Sequence, residues 1–396
     1  MPRKTSTRAA QGAGTIRQRS DGRWEARYTV GRDPGTGKQI QKSVYGSTQQ
    51  EVRRKLTEAV SALDSGSYFE PSKMTLGRWV EIWLNEYMGD KKYLTVKHYK
   101  AQCAAHIVPS LGAVKLSELT PPQIQAFYNG LQRSGLAAKS VRNIHGILTK
   151  CLSTAVQVGY LRNNPAERVT LPKITKKEIC PLTDKQVKDF LQVSVGDEYE
   201  TILKVILFTG LRESEAMGLT WDCVDFTNGT LKVCKQLQKR PLKDGGFVFA
   251  PLKNNKTRII KPAPFVMQLL QHRRTEQAEQ KLRAGNMWRG WINSEQRKTA
   301  LVFTTDIGLN LSPQTLYNHY KKLAVQIGAP KSRVHDLRHT FAVLSLQNGD
   351  DVKTVQENLG HATAAFTLDV YGHVSERMKD ESAARMEAYI GGLANL

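Results

Sequence analysis

The run His335-Asp336-Leu337-Arg338-His339-Thr340-Phe341-Ala342, residues 335–342, opens a helix that continues to Asn348. Spacing of i, i+3 sets His335 and Arg338 on one helical face, an imidazole beside a guanidinium. His335 and His339, at i and i+4, also have the spacing of a zinc pair. The metalloprotease pattern requires a glutamate right after the first histidine, and Asp336 stands there instead, which sets the metal reading aside. Histidine and arginine side by side suit phosphate chemistry.

Outward from this run, other short elements carry residues of the same kind. Downstream, Leu359-Gly360-His361 ends a helix that starts near Asp351, with Gly360 in the C-terminal capping role. Ten residues later comes Tyr371, within Thr367-Leu368-Asp369-Val370-Tyr371-Gly372-His373. Upstream, Arg212 follows Gly210-Leu211 at a helix break, a corner from which a planar donor fork can point at a phosphate. An internal ion pair with Glu213 or Glu215 is the plainer reading of Arg212 taken alone. Leu252-Lys253-Asn254-Asn255-Lys256-Thr257-Arg258-Ile259-Ile260 reads as a tight hairpin between two strands, with a lysine that can swing over a substrate.

The chain of 396 residues is too long for one core. Its pattern is that of a multidomain α+β protein. Residues 1–70 read as a three-stranded sheet plus a helix, with strands near 15–19, 23–30 and 39–44 and the helix at 48–65. In the second strand Trp24, Ala26, Tyr28 and Val30 alternate with Arg23, Glu25, Arg27 and Thr29, so the aromatics belong to the core. Arg17, Arg19, Arg23 and Arg27 then project from the open face, either solvated or lying in a groove.

Residues 74–165 read as an all-α bundle of four helices. Thr95 caps a helix that ends before Pro109. Thr120-Pro121-Pro122-Gln123 has the form of a capping box with proline at the first helical position. Lys97, Lys139 and Arg142 stand among an excess of bases left outside this bundle. A polar linker occupies 166–180. Residues 181–396 form a mixed α/β, mainly helical domain, with strands near 230–235, 247–252 and 257–261 and a helical tail.

Lysine and arginine number 58 against 36 acids, a net charge of +22. Residues 1–70 carry +6, residues 71–173 carry +9 and the remainder +7, so the basic character is spread over the chain as in a protein that wraps a polyanion. No stretch reaches the roughly 20 apolar residues of a membrane span, and the N-terminus lacks a secretory apolar run. Five scattered cysteines without a CxxC pair point to thiols in a reducing cytoplasm.

Taken in order, Arg212, the hairpin lysine, His335-x-x-Arg338, Leu359-Gly360-His361 and the tyrosine after ten residues resemble the tyrosine recombinase, or phage integrase, family. The closest look is to integrases of conjugative transposons and temperate phages. The resemblance covers nearly the whole chain. It implies an arm-DNA-binding domain at 1–70, a core-binding domain at 74–165 and a catalytic domain at 181–396.

It also implies that DNA is cut and rejoined without hydrolysis, ATP, metal or other cofactor, to integrate and excise a mobile element. Tyr371 would attack the scissile phosphodiester. Arg212 and Arg338 would hold the non-bridging oxygens, His335 would assist as phosphate ligand or proton acceptor, and His361 would hydrogen-bond the phosphate. The family's lysine sits about nine residues ahead of the proline that closes the next strand, which indicates Lys253; Lys256, nearer the turn tip, is its rival. Double-stranded DNA with core and arm sites is the implied partner, with a homo-tetramer on DNA and an excisionase or DNA-bending protein as accessory. In the family the tail packs on a neighbouring protomer; packing of the tail on its own core is the plainer alternative. The competing readings are a type IB topoisomerase and a non-catalytic DNA-binding regulator.

Overall fold

The structure, a computed structural model, describes residues 14–32, 36–64, 73–175, 180–241, 246–290, 300–361, 363 and 376–394. The chain separates into two compact units, residues 1–176 and 177–396. Tyr371 and residues 291–299 lie outside the described residues.

The first unit begins with an antiparallel sheet in the order β1 (Thr15–Gln18), β2 (Trp24–Arg32), β3 (Gln39–Gly46). One face carries Ala26 and Tyr28, with Trp24 and Val30 at the margins. These pack on Val52 and Leu56 of helix α1 (Gln49–Asp64). The expected alternation is present, with one departure. Glu25, on the opposite face, is also buried, at 1% exposure.

A second core in this unit is wholly helical. It is built from α2 (Leu76–Glu86), α3 (Tyr93–Gln102), α4 (Val108–Leu111), α5 (Pro121–Arg133) and α6 (Ala138–Gln157). Trp79 and Trp83 of α2 are fully buried, and their indole N–H groups donate to the Cys151 carbonyl at 3.0 Å and to Thr154 Oγ1 at 3.2 Å. At the start of α5 the Thr120 N–H donates to Gln123 Oε1 at 2.9 Å, the return half of the expected capping box.

Two expectations for α3 need correction. The helix is capped at Lys92, not Thr95. Nor does it end before Pro109. It widens into a π turn, Cys103–Ile107, and passes into α4, where Pro109 is the second residue. Proline lacks an N–H and its ring crowds the carbonyl four residues back, and a wider turn relieves both without ending the helix.

The second unit has its core around helix α8 (Glu200–Thr209), which packs against α12 (Val334–Gln347). Helix α7 (Asp184–Val193) opens with a Thr183–Gln186 capping box. After α8 come the short helix α9 (Glu213–Met217) and strands β4 (Val224–Asp225), β5 (Thr230–Val233), β6 (Lys235–Lys239), β7 (Phe247–Pro251) and β8 (Arg258–Ile260). The described helices then continue as α10 (Pro264–Ala284), α11 (Pro313–Gln326), α12 and α13 (Val352–Leu359), with a tail helix at Glu376–Ala394. Among the described residues no helix is long and apolar enough to cross a membrane.

The strand pairing corrects the reading of residues 252–260 as a tight hairpin. Strand β7 pairs with β6, whereas β8 pairs with β5. Outgoing residues 230–239 are therefore met by returning residues 247–260, and beyond the paired strands Arg240 N–H donates to the Gly246 carbonyl at 2.7 Å. Between Val233↔Arg258 and Lys235↔Pro251 a single residue, Cys234, faces the six residues 252–257. Lys253 and Lys256 sit on this bulge, not on a hairpin tip. The two-residue β4 and the strand β6 were not anticipated, the latter because its residues Lys235-Gln236-Leu237-Gln238-Lys239 hold only one apolar side chain.

Gly210, which ends α8, shows why the break before Arg212 takes this form. Its φ is +65°, and an added Cβ would lie 2.4 Å from Phe341 of α12 and 2.7 Å from Leu359 of α13. A left-handed non-glycine residue costs about 1–3 kcal/mol before any clash. Gly210→Ala should therefore destabilise the second unit by at least that much in urea denaturation; a loss below 0.5 kcal/mol, on the order of a neutral surface change, would refute the packing argument.

Candidate functional site

Helix α13 stops in a Schellman turn. Asp351 caps its start, accepting from the Lys353 and Thr354 N–H groups at 2.9 Å each. At its end Gly360 takes φ +64°, with Gly360 N–H donating to the Glu357 carbonyl at 3.0 Å and His361 N–H to the Gln356 carbonyl at 3.1 Å. The three carbonyls that follow have no partner within the helix.

Each of them takes an arginine from a different element. Asn358 accepts from Arg258 Nε at 2.8 Å, Leu359 from Arg338 Nη2 at 2.6 Å and Gly360 from Arg212 Nη2 at 3.4 Å. Arg338 is only 2% exposed, and its Nη1 donates to the Gly210 carbonyl at 2.6 Å. The two glycine turns flagged in the sequence are thus linked through one guanidinium. The negative end of the α13 dipole favours this gathering of cations.

Glu215 completes the cluster from beneath. Its carboxylate, 1% exposed, lies 2.7 Å from Arg212 Nη1 and 2.6 Å from Arg258 Nη2. It also accepts the Arg212 backbone N–H at 3.0 Å, which starts α9. Burial alone would raise the Glu215 pKa, but Arg258 and Arg212 outweigh it and hold the carboxyl at about 2. The plain ion-pair reading of Arg212 is therefore realised with Glu215. It coexists with a place in the cleft, because Arg212 is still 22% exposed.

The cleft above this cluster has a volume of about 390 Å³, and its walls include Arg212, Asn254, Lys256, Arg258, Lys353 and His361. Asn254 on the bulge donates to the Gly360 carbonyl at 3.3 Å, which ties the lysine-bearing loop to the same turn. Lys256 lines the cleft, and Lys253 is exposed on the same loop. Burial, then Arg338 and Arg212, lower the His361 pKa to about 3. The same influences, burial first and Arg338 next, lower His335, although its edge is open to solvent. Near neutral pH both are uncharged imidazoles, able to donate one N–H and accept at the other nitrogen. The His335 and His339 rings meet edge to face at 4.8 Å. Among the described residues no group of three or more His, Cys, Asp or Glu side chains gathers as a metal site.

The structure thus brings Arg212, Arg338 and His361 to one turn, with His335 beside them on α12 and both lysines on the adjoining bulge. Tyr371 lies outside the described residues. Sequence reasoning missed Glu215 as a partner of two arginines and missed Arg258 altogether. A signal for Arg258 was present: it shares the inward face of β8 with buried Ile260, and an inward arginine needs a buried acid.

The expected DNA-contacting residues divide differently. Lys97, Lys139 and Arg142 are exposed on the helical core, and Arg142 Nε donates to the Pro172 carbonyl at 2.8 Å. On the sheet, Arg17 and Arg27 both engage Glu25, at 2.7 and 3.1 Å. Arg23 and Arg19 lie 2.8 and 3.5 Å from Asp21 at the β1–β2 turn.

The pairing of Glu215 makes stability depend on pH. Its folded pKa of about 2 lies below the ordinary 4.5, so its contribution is fully present above about pH 5 and is lost as pH falls towards 2. The shift corresponds to roughly 3 kcal/mol. In urea unfolding, Glu215→Gln should be less stable than the wild type at pH 7, with the gap narrowing as pH falls below 5 and closing only towards pH 2. A gap that stays constant would show that the ionised pair contributes nothing.

Residues 181–378, half of the chain, match the phage integrase family, and residues 75–132 match the N-terminal SAM-like domain of phage integrases. A tyrosine recombinase XerC-like protein of Caldanaerobacter subterraneus subsp. tengcongensis is 29% identical over 366 residues, 89% of this chain and 92% of its own length. The ICEBs1 integrase of Bacillus subtilis is 24% identical over 390 residues, 94% of this chain and 99% of its own. Among solved structures, the Tn1549 transposon integrase in complex with transposon right end DNA has a TM-score of 0.67 at 22% identity, covering 80% of this chain and 99% of that one. A lambda integrase tetramer bound to a Holliday junction gives 0.53 at 19%, covering 89% and 94%. The mixed, mainly helical fold is shared with both. The chain belongs to the phage integrase family of tyrosine recombinases.

Proposed function

We propose that this recombinase integrates and excises a mobile DNA element through a 3′-phosphotyrosyl intermediate. The observation that carries the reading is the convergence of Arg212, Arg338 and His361 on the end of α13, with a lysine-bearing loop tied to the same turn. The Tyr371 oxygen bonds to phosphorus as the bond to the 5′-oxygen breaks. The phenol proton passes to a neutral imidazole, His335 being the candidate. The leaving 5′-oxygen takes a proton from Lys253, with Lys256 as the alternative donor. Attack by the 5′-hydroxyl of a partner strand then reverses these steps and reseals the exchanged strand, so the bond energy is conserved without ATP.

A phenol near pKa 10 is a weak nucleophile at neutral pH and needs help on the phosphate side. Arg212 and Arg338 supply it as fixed donors for the non-bridging oxygens. Being tethered to backbone carbonyls, they need little reorganisation as charge grows on phosphorus. His361, held neutral, adds a hydrogen bond without a further charge.

Residues 1–70 would bind arm sites on double-stranded DNA and the helical segment 74–165 the core sites, in the cytoplasm and at the nucleoid. Four strands must be exchanged, which calls for a tetramer. Met386, Tyr389, Ile390 and Leu393 of the tail helix are all at least half exposed at helical spacing. Seating that stripe on a neighbouring protomer would cover it and couple cleavage to assembly. An excisionase or DNA-bending protein would set the direction of recombination.

Tyr371→Phe should abolish the covalent DNA–protein band on a denaturing gel while leaving DNA binding within about twofold, and the wild-type band should persist in excess EDTA. A strict divalent-metal requirement would defeat the arginine-clamp account. Arg338→Ala should slow cleavage by roughly a hundredfold or more. Lys253→Ala should slow it to a comparable degree, and a substrate with sulfur at the bridging 5′ position, whose thiolate leaves without a proton, should rescue this variant but not Arg338→Ala. Rescue of Lys256→Ala alone would transfer the role to Lys256.

A further inference from the structure

We propose that Glu25 is the positioning residue of a base-reading pair, Arg17 and Arg27, on the open face of the N-terminal sheet. The inference rests on the reading of that sheet as DNA-binding. Glu25 lies on the central strand, directly opposite Arg17 on β1 and Tyr45 on β3; Arg27 follows two residues later on the same face, opposite Ser43. This face turns away from α1, yet Glu25 is 1% exposed because polar side chains close over it. Its Oε2 accepts from Arg17 Nε at 2.8 Å. Its Oε1 accepts from Ser43 Oγ at 2.8 Å, Arg27 Nε at 3.1 Å and Tyr45 OH at 3.4 Å.

The charge balance argues against a purely structural ion pair. Two guanidiniums share one carboxylate, so the cluster keeps a net positive charge, and both arginines stay about half exposed, at 58% and 48%. The balance argues equally against a surface that merely holds phosphate. Such a surface gains from every added cation, and a carboxylate set between two arginines cancels one of them.

What Glu25 supplies is orientation. It engages Arg27 through Nε, and Arg17 through Nε and the adjacent Nη2, which leaves the end-on Nη edge of each fork turned from the carboxylate. That edge matches the O6 and N7 acceptors of guanine. Arg17 and Arg27 are diagonal neighbours across β1 and β2, a spacing of about 7–8 Å, or roughly two base-pair steps. Hydrogen bonds from Ser43 and Arg17 outweigh burial and hold the Glu25 carboxyl at about 2, so it is ionised near neutral pH. Arg23 and Arg19 have no such cage, since their partner Asp21 is 37% exposed in a turn.

The test is selection from a duplex pool with a randomised 25-base-pair centre, using the full-length protein. Wild type should enrich two unrelated motifs, one for each DNA-binding part. Glu25→Gln should lose at least tenfold in the enrichment of one motif, keep the other, and bind a fixed random-sequence duplex within about twofold with an unchanged salt slope. Arg17→Lys with Arg27→Lys, which keeps both charges, should behave the same way. Ser43→Ala, a milder change that removes one donor to Glu25 and leaves both arginines, should weaken the same motif; thermal melting separates any of these effects from loss of the sheet. If the lysine pair loses the motif while Glu25→Gln and Ser43→Ala retain it, Glu25 positions nothing and the proposal is overturned. If Arg17→Ala with Arg27→Ala keeps both motifs and the salt slope, the sheet does not read DNA and the underlying reading falls with it.

Discussion

Three consecutive carbonyls at the end of one helix, Asn358, Leu359 and Gly360, each hold a guanidinium, and the geometry of the cleft follows from that. A helix must leave its last carbonyls unsatisfied, and their combined dipole is negative. Here the acceptors are matched to Arg258 from a strand, Arg338 from a helix and Arg212 from a helix break. Elements far apart in sequence are thereby fixed to one point. Like charges so close would repel, and Glu215 offsets part of the repulsion from below. Three cations against one buried acid leave a surplus that a phosphate can neutralise.

The same surplus accounts for the histidines. His361 and His335 lie within the field of these arginines and are partly withdrawn from water, so both are neutral near pH 7. An uncharged imidazole adds hydrogen bonds without adding to the repulsion that Glu215 must balance. It can also accept a proton, which an imidazolium cannot.

How much of this was legible beforehand follows from which signals are local. The capping box at Thr120 and the glycine stops at Gly210 and Gly360 depend on residues within one turn, and they are present as read. The alternation of Trp24, Ala26, Tyr28 and Val30 likewise specified the face that packs on α1. Strand pairing is not local. The partner of β8 is β5 across a break at Cys234, and no pattern within 252–260 distinguishes that bulge from a tight turn. Pro109 misled for a related reason, because a helix held on its inner side by buried Cys103 and Ile107 can absorb a proline by widening. Glu25 was hidden by its type, and Glu215, read only as one candidate partner of Arg212, gave no sign of binding Arg258 as well. A carboxylate is read as surface until the arginines that bury it are placed in space.

The bulge at 252–257 has an evolutionary consequence. The ladders on either side of it, β5 with β8 and β6 with β7, are each anchored by their own pairing. A residue gained or lost within the bulge leaves both registers intact, so no side chain changes from core to solvent. In most sheets such an indel would reverse the faces of everything beyond it. Here the length of the loop, and with it the placement of Lys253 and Lys256, can change while the strands on either side keep their faces.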